Sequence, residues 1–474
     1  MKSKTINGLF WSFSDNLLQQ LINFIVGIIL ARLLLPEEFG LLGIVTIFIS
    51  LSNVFVDGGL SDALINKQNV TQEDYSTIFW INMVIGIFCF GLLSLLAPFI
   101  AVFFHQEKLV ELIRITALSL IFFSLSSIQR TMHVKKIDFK TITLVSLISV
   151  LISGAISIYM AFNGFGILSL VYRIVIGQIL TVLLFYIISP WRPLFVFNTK
   201  SFQEMFGYGI NLFFSKLLNT LYNNFYYFII GKWFSPIVLG YYTRADSFKN
   251  ITSINISNTI TRVSFASLSA MEKEKQLIGF KEFLLGTIFI TTFLMAILFC
   301  CADSIIIILL GDKWFPTIEY LKIISLSGLF LPAYFMNLNF LAVIRKTKYY
   351  LTSELITKIA IIPITILGII YGIKVLLWLI VLHSVFSYLF ISYQVQRASN
   401  YRMLSQLMMF CRLLIIFIST AIIVNLVQMV YELNVYINML LGTGIVFMVF
   451  FLGYIVFKKD FAYLMIILKD NFKK

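Results

Sequence analysis

The sequence predicts an all-α, polytopic membrane protein from its composition, its hydropathy and an internal repeat. Of the 474 residues, 59% are hydrophobic and only 12% are charged, and the mean hydropathy is +0.94. Soluble domains carry about 25% charged residues, so this composition indicates an integral membrane protein. Apolar runs of about 20 residues recur along the chain, each long enough to cross the hydrocarbon core as a helix. The short alternating segments of a membrane β-barrel are not seen.

The hydropathy pattern predicts about 14 transmembrane helices joined by short connections. They lie at about 9–33, 39–60, 77–104, 109–130, 139–162, 165–188, 206–230, 237–262, 283–310, 317–344, 349–371, 374–396, 407–430 and 435–457. The connection at 189–205, between the sixth and seventh spans, contains Pro190, Trp191, Arg192 and Pro193 and is predicted to be a cytoplasmic linker.

The chain contains the same arrangement twice, offset by 200 residues. Polar residues with helical spacing repeat between the two copies: Asn16, Gln20, Asn23 and Gly27 match Lys216, Thr220, Asn223 and Tyr227. The segment 36–40 likewise matches 236–240. Copies of equal orientation are parallel repeats related by an axis along the membrane normal. We therefore expect two six-helix lobes related by a pseudo-two-fold axis, at 1–188 and 206–396, followed at 397–474 by two extra helices and a basic cytoplasmic tail.

The net charge of +14 is distributed unevenly across the predicted membrane. Most Lys and Arg residues lie in loops of one side, whereas the loops of the other side carry only Arg32, Lys108, Lys232, Lys313 and Lys374. This asymmetry follows the positive-inside rule and predicts that both termini are cytoplasmic. It also accounts for the basic character without nucleic acid, which we do not expect as a partner.

Several predicted spans carry polar or charged residues on one helical face. Lys216, Thr220 and Asn223 share a face in one span, and Thr46, Ser50, Asn53 and Asp57 share a face in another. A charge that faces lipid costs at least a few kcal/mol, so these faces are expected to turn towards protein or a water-filled cavity. Two facing lobes leave such a crevice, where transporters place their substrate.

Cations outnumber carboxylates within the spans, which favours an anionic substrate such as phosphate or pyrophosphate. The candidate substrate-binding residues are Lys216, Arg244, Arg262, Arg173, Asn223, Lys249 and Lys358. Two alternatives remain open. Lys216 either pairs with Asp15 or anchors substrate, and Asp246 and Lys249 either neutralise each other or serve the site. Asp15 and Asp57 are the candidate ion-coupling residues.

No pattern of catalytic residues is found in the sequence. The three histidines, His105, His133 and His383, lack metal-ligand spacing, and no phosphate-binding glycine loop occurs. We therefore expect no enzymatic activity, no metal and no cofactor, apart from coupling to a proton or a sodium ion.

Three segments resemble the polysaccharide flippases of the Wzx type. They are residues 28–40 (IILARLLLPEEFG) with Asp57-Gly58-Gly59-Leu60, residues 240–245 (GYYTRA) and residues 310–314 (LGDKW). The resemblance extends over essentially the whole chain. These flippases form one branch of the multidrug/oligosaccharidyl-lipid/polysaccharide exporter superfamily.

The resemblance implies movement of an undecaprenyl-pyrophosphate-linked oligosaccharide from the inner to the outer leaflet by alternating access. This transport would serve O-antigen, capsule or exopolysaccharide synthesis in the bacterial cytoplasmic membrane. The expected partners are the lipid-linked oligosaccharide, membrane lipid, and the polysaccharide polymerase and export machinery. Two alternatives are an exporter of small organic cations of the MATE type, which predicts an acidic cavity, and a membrane enzyme acting on lipid-linked sugars.

Overall fold

The computed structural model describes residues 2–399, 401–431 and 434–456, without the side chains of residues 2–10, 12, 13, 254–256, 258 and 456. Within these ranges the fold consists of helices and contains no strand. The helices are α1 Lys2–Leu33, α2 Pro36–Asp57, α3 Leu60–Asn66, α4 Gln72–Phe104, α5 Leu109–Lys135, α6 Phe139–Phe162, α7 Leu168–Ile188, α8 Thr199–Trp233, α9 Pro236–Thr252, α10 Ile254–Ala270, α11 Lys273–Cys300, α12 Ala302–Leu309, α13 Phe315–Val343, α14 Thr347–Tyr371, α15 Ile373–Ala398, α16 Met403–Val430 and α17 Val435–Val456. A 3-10 turn at Asp312–Trp314 precedes α13.

The predicted all-α membrane fold class is confirmed. Among the described residues, 12 helices are long and apolar enough to cross a membrane. The two predicted spans outside this set, 206–230 in α8 and 237–262 in α9 and α10, are the spans with the most polar faces. The predicted basic tail after residue 456 lies outside the described residues.

Two predicted spans are each divided into two helices. Span 237–262 is interrupted at Ser253, whose hydroxyl donates to the carbonyl of Gly328 over 3.2 Å. Span 283–310 is interrupted at Cys301, between α11 and α12. A polar side chain that bonds a neighbouring helix stabilises such a break inside a membrane protein, because the freed backbone groups need partners.

The chain forms two compact units, Met1–Gly240 and Tyr241–Lys474. Helix α8, which belongs to the second copy of the sequence repeat, packs on α2, α3 and α4 within unit 1. The lobe boundaries at 188 and 206 stay a prediction.

Small residues allow close helix packing in unit 1, as is usual in membranes. A Cβ on Gly86 of α4 would lie 2.9 Å from the hydroxyl oxygen of Ser124 on α5. One turn along the same contact, Asn82 donates to Ser127 Oγ over 3.1 Å. These contacts bring α4 and α5 together and satisfy polar groups that lipid would leave unbonded.

The linker between the two sequence copies is bound to the start of α4. The indole N–H of Trp191 donates to Gln72 Oε1 over 2.6 Å, and that of Trp80 donates to the carbonyl of Leu194 over 2.8 Å. Phe195 stacks on Trp80 with ring centroids 4.8 Å apart. We call residues 189–198 the linker strap. Its bonds fix the backbone that leads into α8.

Unit 2 is built around α11, α13 and α15, with aromatic contacts in its core. Phe280 of α11 stacks on Phe340 of α13 with ring centroids 4.0 Å apart. The last two helices pack on α11 and α12, and a Cβ on Gly442 of α17 would lie 2.8 Å from Cys301 Sγ. The two C-terminal helices therefore belong to unit 2.

Candidate functional site

Helices α2 and α8 run antiparallel and are joined by matched polar contacts. Asp57 near one end accepts from Lys216 over 2.6 Å, and Ser50, two turns earlier on α2, accepts from Asn224 over 3.1 Å. We call this contact, residues 36–59 against 209–240, the α2–α8 seam. The polar face predicted on α2 is thus directed at protein, as its cost in lipid requires.

Glycines allow close approach at the end of the seam where α2 stops. Gly58 and Gly59 have φ of 53° and 71°, left-handed values that glycine adopts without strain. A Cβ on Gly59 would also lie 2.4 Å from the carbonyl oxygen of Gly209 in α8. The sequence Asp57-Gly58-Gly59 therefore ends α2, allows α8 to approach and places two carboxylates, those of Asp57 and Asp62, beside it.

At the other end of the seam, the two sequence copies contact each other reciprocally. A Cβ on Gly40 would lie 1.7 Å from the carbonyl oxygen of Pro236, and one on Gly240 would lie 1.9 Å from that of Pro36. The equivalent prolines and glycines of the repeat thus exchange the same contact. Because only hydrogen fits at either glycine, the starts of α2 and α9 meet at backbone distance.

Lys216 lies between two carboxylates. Its ammonium is 2.6 Å from Asp57 Oδ2 and 2.5 Å from Asp62 Oδ2, and its side chain is 39% exposed. The cluster carries one positive and two negative formal charges. Lys216 therefore pairs with Asp57 and Asp62, and not with Asp15, which the sequence suggested as a partner.

Sequence reasoning missed Asp62. Asp62 lies only five residues after Asp57, so its closeness in the sequence could have indicated a second carboxylate. Helical spacing did not reveal it, because α2 ends before Gly58 and Asp62 belongs to α3. The break between α2 and α3 at Gly58 and Gly59 lets both aspartates reach one lysine.

Asp15 belongs to a different polar face, the interior face of α1. It is buried and accepts a hydrogen bond from Gln19 over 2.7 Å. Asn23, at the next i+4 position, accepts from Arg173 of α7 over 2.5 Å. Of the polar face predicted on the first span, Asn23 thus bonds Arg173 within unit 1, whereas Asn16 is exposed.

A cavity of about 400 Å³ lies beside this face and is lined by residues of α1, α2, α5, α6 and α7. We call it the unit 1 cavity. Its polar lining residues are Gln19, Asn23, Ser126, Ser127, Arg130, Ser146, Ser149, Ser153, Arg173, Gln178 and Thr181. Arg173, which donates to Asn23, is the predicted substrate-binding residue that lines this cavity.

In unit 2, the buried Lys249 is paired with Asp246 over 2.6 Å, and Asp246 also accepts from Asn250 over 2.8 Å. The structure thus contains the neutralising pair that the sequence left as an alternative. Lys358 of α14 forms a half-buried pair with Glu354 over 3.0 Å.

The other three candidates are distributed along different helices. Arg244 in α9 is half-buried, Arg262 in α10 is exposed, and Asn223 in α8 is exposed. Its neighbour Asn224, which was not a candidate, makes the contact with Ser50. A shift of one position moves a residue by about 100° around a helix, so Asn223 and Asn224 point in different directions. The substrate-binding role of Asn223 stays a prediction.

Charged groups at the ends of the spans are also paired. Lys67, after α3, bonds Asp74 and Glu204, each over 3.1 Å. Burial alone would lower the pKa of Lys67, but the hydrogen bonds and charges of the two carboxylates outweigh it and raise that pKa. In the part of the chain that the structure describes, no group of three or more His, Cys, Asp or Glu side chains is arranged to hold a metal ion.

Twelve of the described helices are long and apolar enough to span a membrane, and charged side chains are paired between α2 and α8 and within α9, so the chain is a multi-pass membrane protein. The chain matches the family described as polysaccharide biosynthesis protein over residues 29–319, which is more than half of its length. The protein belongs to this family.

Relatives and solved structures agree with this assignment. The chain is 27% identical to teichuronic acid biosynthesis protein TuaB of Bacillus subtilis (strain 168), over 59% of this chain and 58% of TuaB. It is 23% identical to succinoglycan biosynthesis transport protein ExoT of Rhizobium meliloti (strain 1021), over 65% of this chain and 62% of ExoT. The match thus spans less than two thirds of either relative.

Two solved structures share the fold. The lipid II flippase MurJ in an inward closed conformation is similar with a TM-score of 0.78, at 16% identity, over 96% of this chain and 100% of that one. The MATE multidrug transporter DinF-BH, solved with a bound ligand, is similar with a TM-score of 0.55, at 13% identity, over 84% and 96%. At these identities the likeness concerns the fold.

Proposed function

We propose that this protein flips an undecaprenyl-pyrophosphate-linked oligosaccharide from the inner to the outer leaflet of the bacterial cytoplasmic membrane, for surface polysaccharide synthesis. The observation that carries the proposal is the set of paired charges on α2, α8 and α9 in a chain from a polysaccharide biosynthesis family. The names of two similar proteins, a succinoglycan transport protein and a lipid II flippase, support the same class of cargo. The positive-inside pattern supports cytoplasmic termini.

The cargo carries a pyrophosphate, whose oxygens accept hydrogen bonds from Lys and Arg. At Lys216 such a group competes with Asp57 and Asp62 for the ammonium, because both are oxyanions. Removing a carboxylate from its cation in a partly buried site is costly unless the carboxylate is neutralised. A proton or sodium gradient drives transport in this proposal, with Asp15 and Asp57 as the candidate ion-coupling residues.

Transport proceeds by alternating access, in which cargo binding shifts the population between two conformations of the protein. The headgroup crosses in a polar pathway while the polyprenyl tail stays in lipid. No bond is made or broken, so the protein acts as a transporter without catalytic residues. The polymerase and export machinery would receive the cargo on the far side.

A flipping assay in proteoliposomes tests this function. Purified protein is reconstituted with a fluorescent undecaprenyl-pyrophosphate-linked oligosaccharide, and a glycosidase added outside reports on headgroups that reach the outer leaflet. Protein-dependent movement, accelerated by a proton gradient of one polarity, is expected. Movement equal to that in empty liposomes would refute the function. Conversion of the cargo to a new product would instead favour an enzyme.

Export of small organic cations is the second candidate function, favoured by the two carboxylates around the single ammonium of Lys216. The fold likeness to a multidrug transporter fits the same function. Proteoliposomes loaded with a cationic rhodamine dye distinguish the two functions. Gradient-dependent dye efflux without movement of the lipid-linked oligosaccharide would favour cation export.

A further inference from the structure

The unit 1 cavity has an unusual charge for a space among membrane-spanning helices. Among the described side chains that line it, the charged ones are Arg130 and Arg173, and there is no carboxylate. Arg173 donates to Asn23, a neutral acceptor, so this hydrogen bond leaves the charge of the guanidinium in place. A lining with two guanidinium groups favours an anionic ligand, because Arg matches the oxygens of carboxylate and phosphate.

The cavity wall presents hydroxyl oxygens. Ser126, Ser127 and Ser153 each donate their proton to a carbonyl of their own helix, over 3.1, 3.0 and 3.3 Å. Thr181 donates in the same way to Gly177 over 2.8 Å. A hydroxyl that has donated its proton still accepts hydrogen bonds through its oxygen. The wall therefore offers acceptors from hydroxyls and donors from guanidinium groups.

The cavity has the size of a small-molecule site. Its volume of about 400 Å³ falls in the usual range of about 300–1,000 Å³. Its lining residues on α7 run from Leu170 to Phe185, a length of about 22 Å at about 1.5 Å per residue. The lining is thus elongated along α7, and the volume is large enough for a sugar ring beside Arg173.

We propose that the unit 1 cavity binds an acidic sugar, with the oxyanion of a uronate or a sugar phosphate on Arg173 and the ring hydroxyls donating to the serine oxygens. A bare anion would use the arginines but not the hydroxyl oxygens, and a neutral sugar would use the hydroxyl oxygens but not the positive charge. That the sugar belongs to the lipid-linked cargo rests on the proposed function. Binding of the free sugar does not.

Isothermal titration of the full-length protein in nanodiscs tests the binding. The probes are D-glucuronate, D-glucose and inorganic phosphate. We expect glucuronate to bind roughly tenfold more tightly than either of the other two, a difference equal to about 1.4 kcal/mol. Equal affinity for glucuronate and glucose, or for glucuronate and phosphate, would overturn the assignment.

Two variants locate the site. Arg173→Gln removes the charge, and Gly177→Leu fills the cavity, because a Cβ there meets only the side chain of Ser153, whose hydroxyl oxygen is 3.4 Å away. Each should weaken glucuronate binding roughly tenfold or more, whereas Arg173→Lys, which keeps the charge, should retain part of the affinity. The matched controls are Arg114→Gln on α5 and Gly91→Leu on α4, where a Cβ meets nothing within 4 Å. Wild-type affinity for glucuronate in both Arg173→Gln and Gly177→Leu would refute the unit 1 cavity as the binding site.

Flipping of acidic and neutral oligosaccharides separates this inference from the proposed function. Arg173→Gln should lower the ratio of acidic to neutral cargo flipped by roughly tenfold relative to the wild type. An unchanged ratio with both cargoes flipped would refute the cavity as a cargo site and leave the flippase function standing. Absence of flipping for both cargoes in the wild type, with glucuronate still bound, would refute the function and leave the sugar site standing.

Discussion

Gly40 lies so close to Pro236 that a Cβ atom would stand 1.7 Å from the proline carbonyl oxygen, and Gly240 has the same relation to Pro36 at 1.9 Å. Two proline–glycine segments, 200 residues apart in the chain, thus close one end of the α2–α8 seam by backbone contact. A transporter that alternates access has to separate helices at one end while they close at the other. We expect the starts of α2 and α9 to separate at this reciprocal contact during transport.

Substitution of Gly40 tests this contact. Gly40→Ala introduces a methyl group where no space exists, so the starts of α2 and α9 must move apart. Overpacking of this kind costs about 1–3 kcal/mol. We expect a lower melting temperature in detergent and a flipping rate lower by roughly tenfold. Gly91→Ala is the control, since a Cβ there meets nothing within 4 Å. A Gly40→Ala protein with wild-type stability and flipping would contradict the close contact.

The ion pairs of Lys216 with Asp57 and Asp62 predict that substitutions of these residues affect stability non-additively. Lys216→Ala leaves Asp57 and Asp62 close together without this cation, and like charges at short distance repel. We expect loss of most flipping activity and a lower melting temperature. Adding Asp57→Asn to Lys216→Ala should recover stability but not flipping, with a coupling of about 0.5–3 kcal/mol.

A double-mutant cycle on thermal unfolding in detergent measures this coupling, and Lys216→Arg serves as the charge-conserving control. If the effects of Asp57→Asn and Lys216→Ala on stability simply add, the ion pair does not contribute. Wild-type flipping by Lys216→Ala would remove Lys216 from the transport pathway.

The helices could be predicted from sequence much better than the site. Apolar runs and turns are local signals, so predicted spans such as 139–162 and 349–371 agree with α6 and α14 almost to the residue. The partners of Lys216 depend on the helix break at Gly58 and Gly59 and on which helix lies across from α8. Neither is encoded in periodicity. The unit 1 cavity was equally out of reach, because it requires several helices to be placed together.

Lys249 and Asp246 predict a structural role that can be separated from substrate binding. Both side chains are buried, so Lys249→Met leaves the Asp246 carboxylate without this cation, at a cost of about 3–5 kcal/mol. The double variant Lys249→Met with Asp246→Asn should regain most of the stability, because the buried pair is then replaced by neutral groups. Melting temperature and flipping rate of both variants and of the wild type are measured. A double variant that is stable but inactive would show that Lys249 serves the cargo.

Asp138 predicts a pH-dependent contribution to stability. Its Oδ1 accepts from the Thr141 N–H at the start of α6, over 3.3 Å, and its Oδ2 lies 2.9 Å from His133 Nδ1. Burial would raise the pKa of Asp138, but the hydrogen bonds from Thr141 and His133 outweigh it, so this pKa lies below the ordinary 3.8. The folded protein then binds fewer protons than the unfolded chain, and the stabilisation is present above the ordinary pKa and lost as the pH falls through the lowered one.

Asp138→Ala should therefore cost about 0.5–2 kcal/mol near neutral pH, the usual effect of removing a helix N-cap. The difference from the wild type should narrow as the pH falls through about 4 and below. Thermal unfolding in detergent across this pH range is the measurement, with the exposed Asp312→Ala as a control for simple loss of charge. A difference that is constant with pH would contradict the charged cap.

The linker strap predicts a local effect of Trp191. This side chain is buried against Phe79 and Tyr75, with its N–H on Gln72. Trp191→Ala should cost about 3–5 kcal/mol through lost packing, and Trp191→Phe should cost less because it removes mainly the hydrogen bond.

In Trp191→Ala the linker strap should become more accessible to protease, because the indole that binds it to α4 is gone. Limited proteolysis with chymotrypsin detects cleavage near Phe195, and Trp233→Ala, at an exposed tryptophan, is the matched control. Cleavage of Trp191→Ala at the wild-type rate would show that the strap is held independently of this indole.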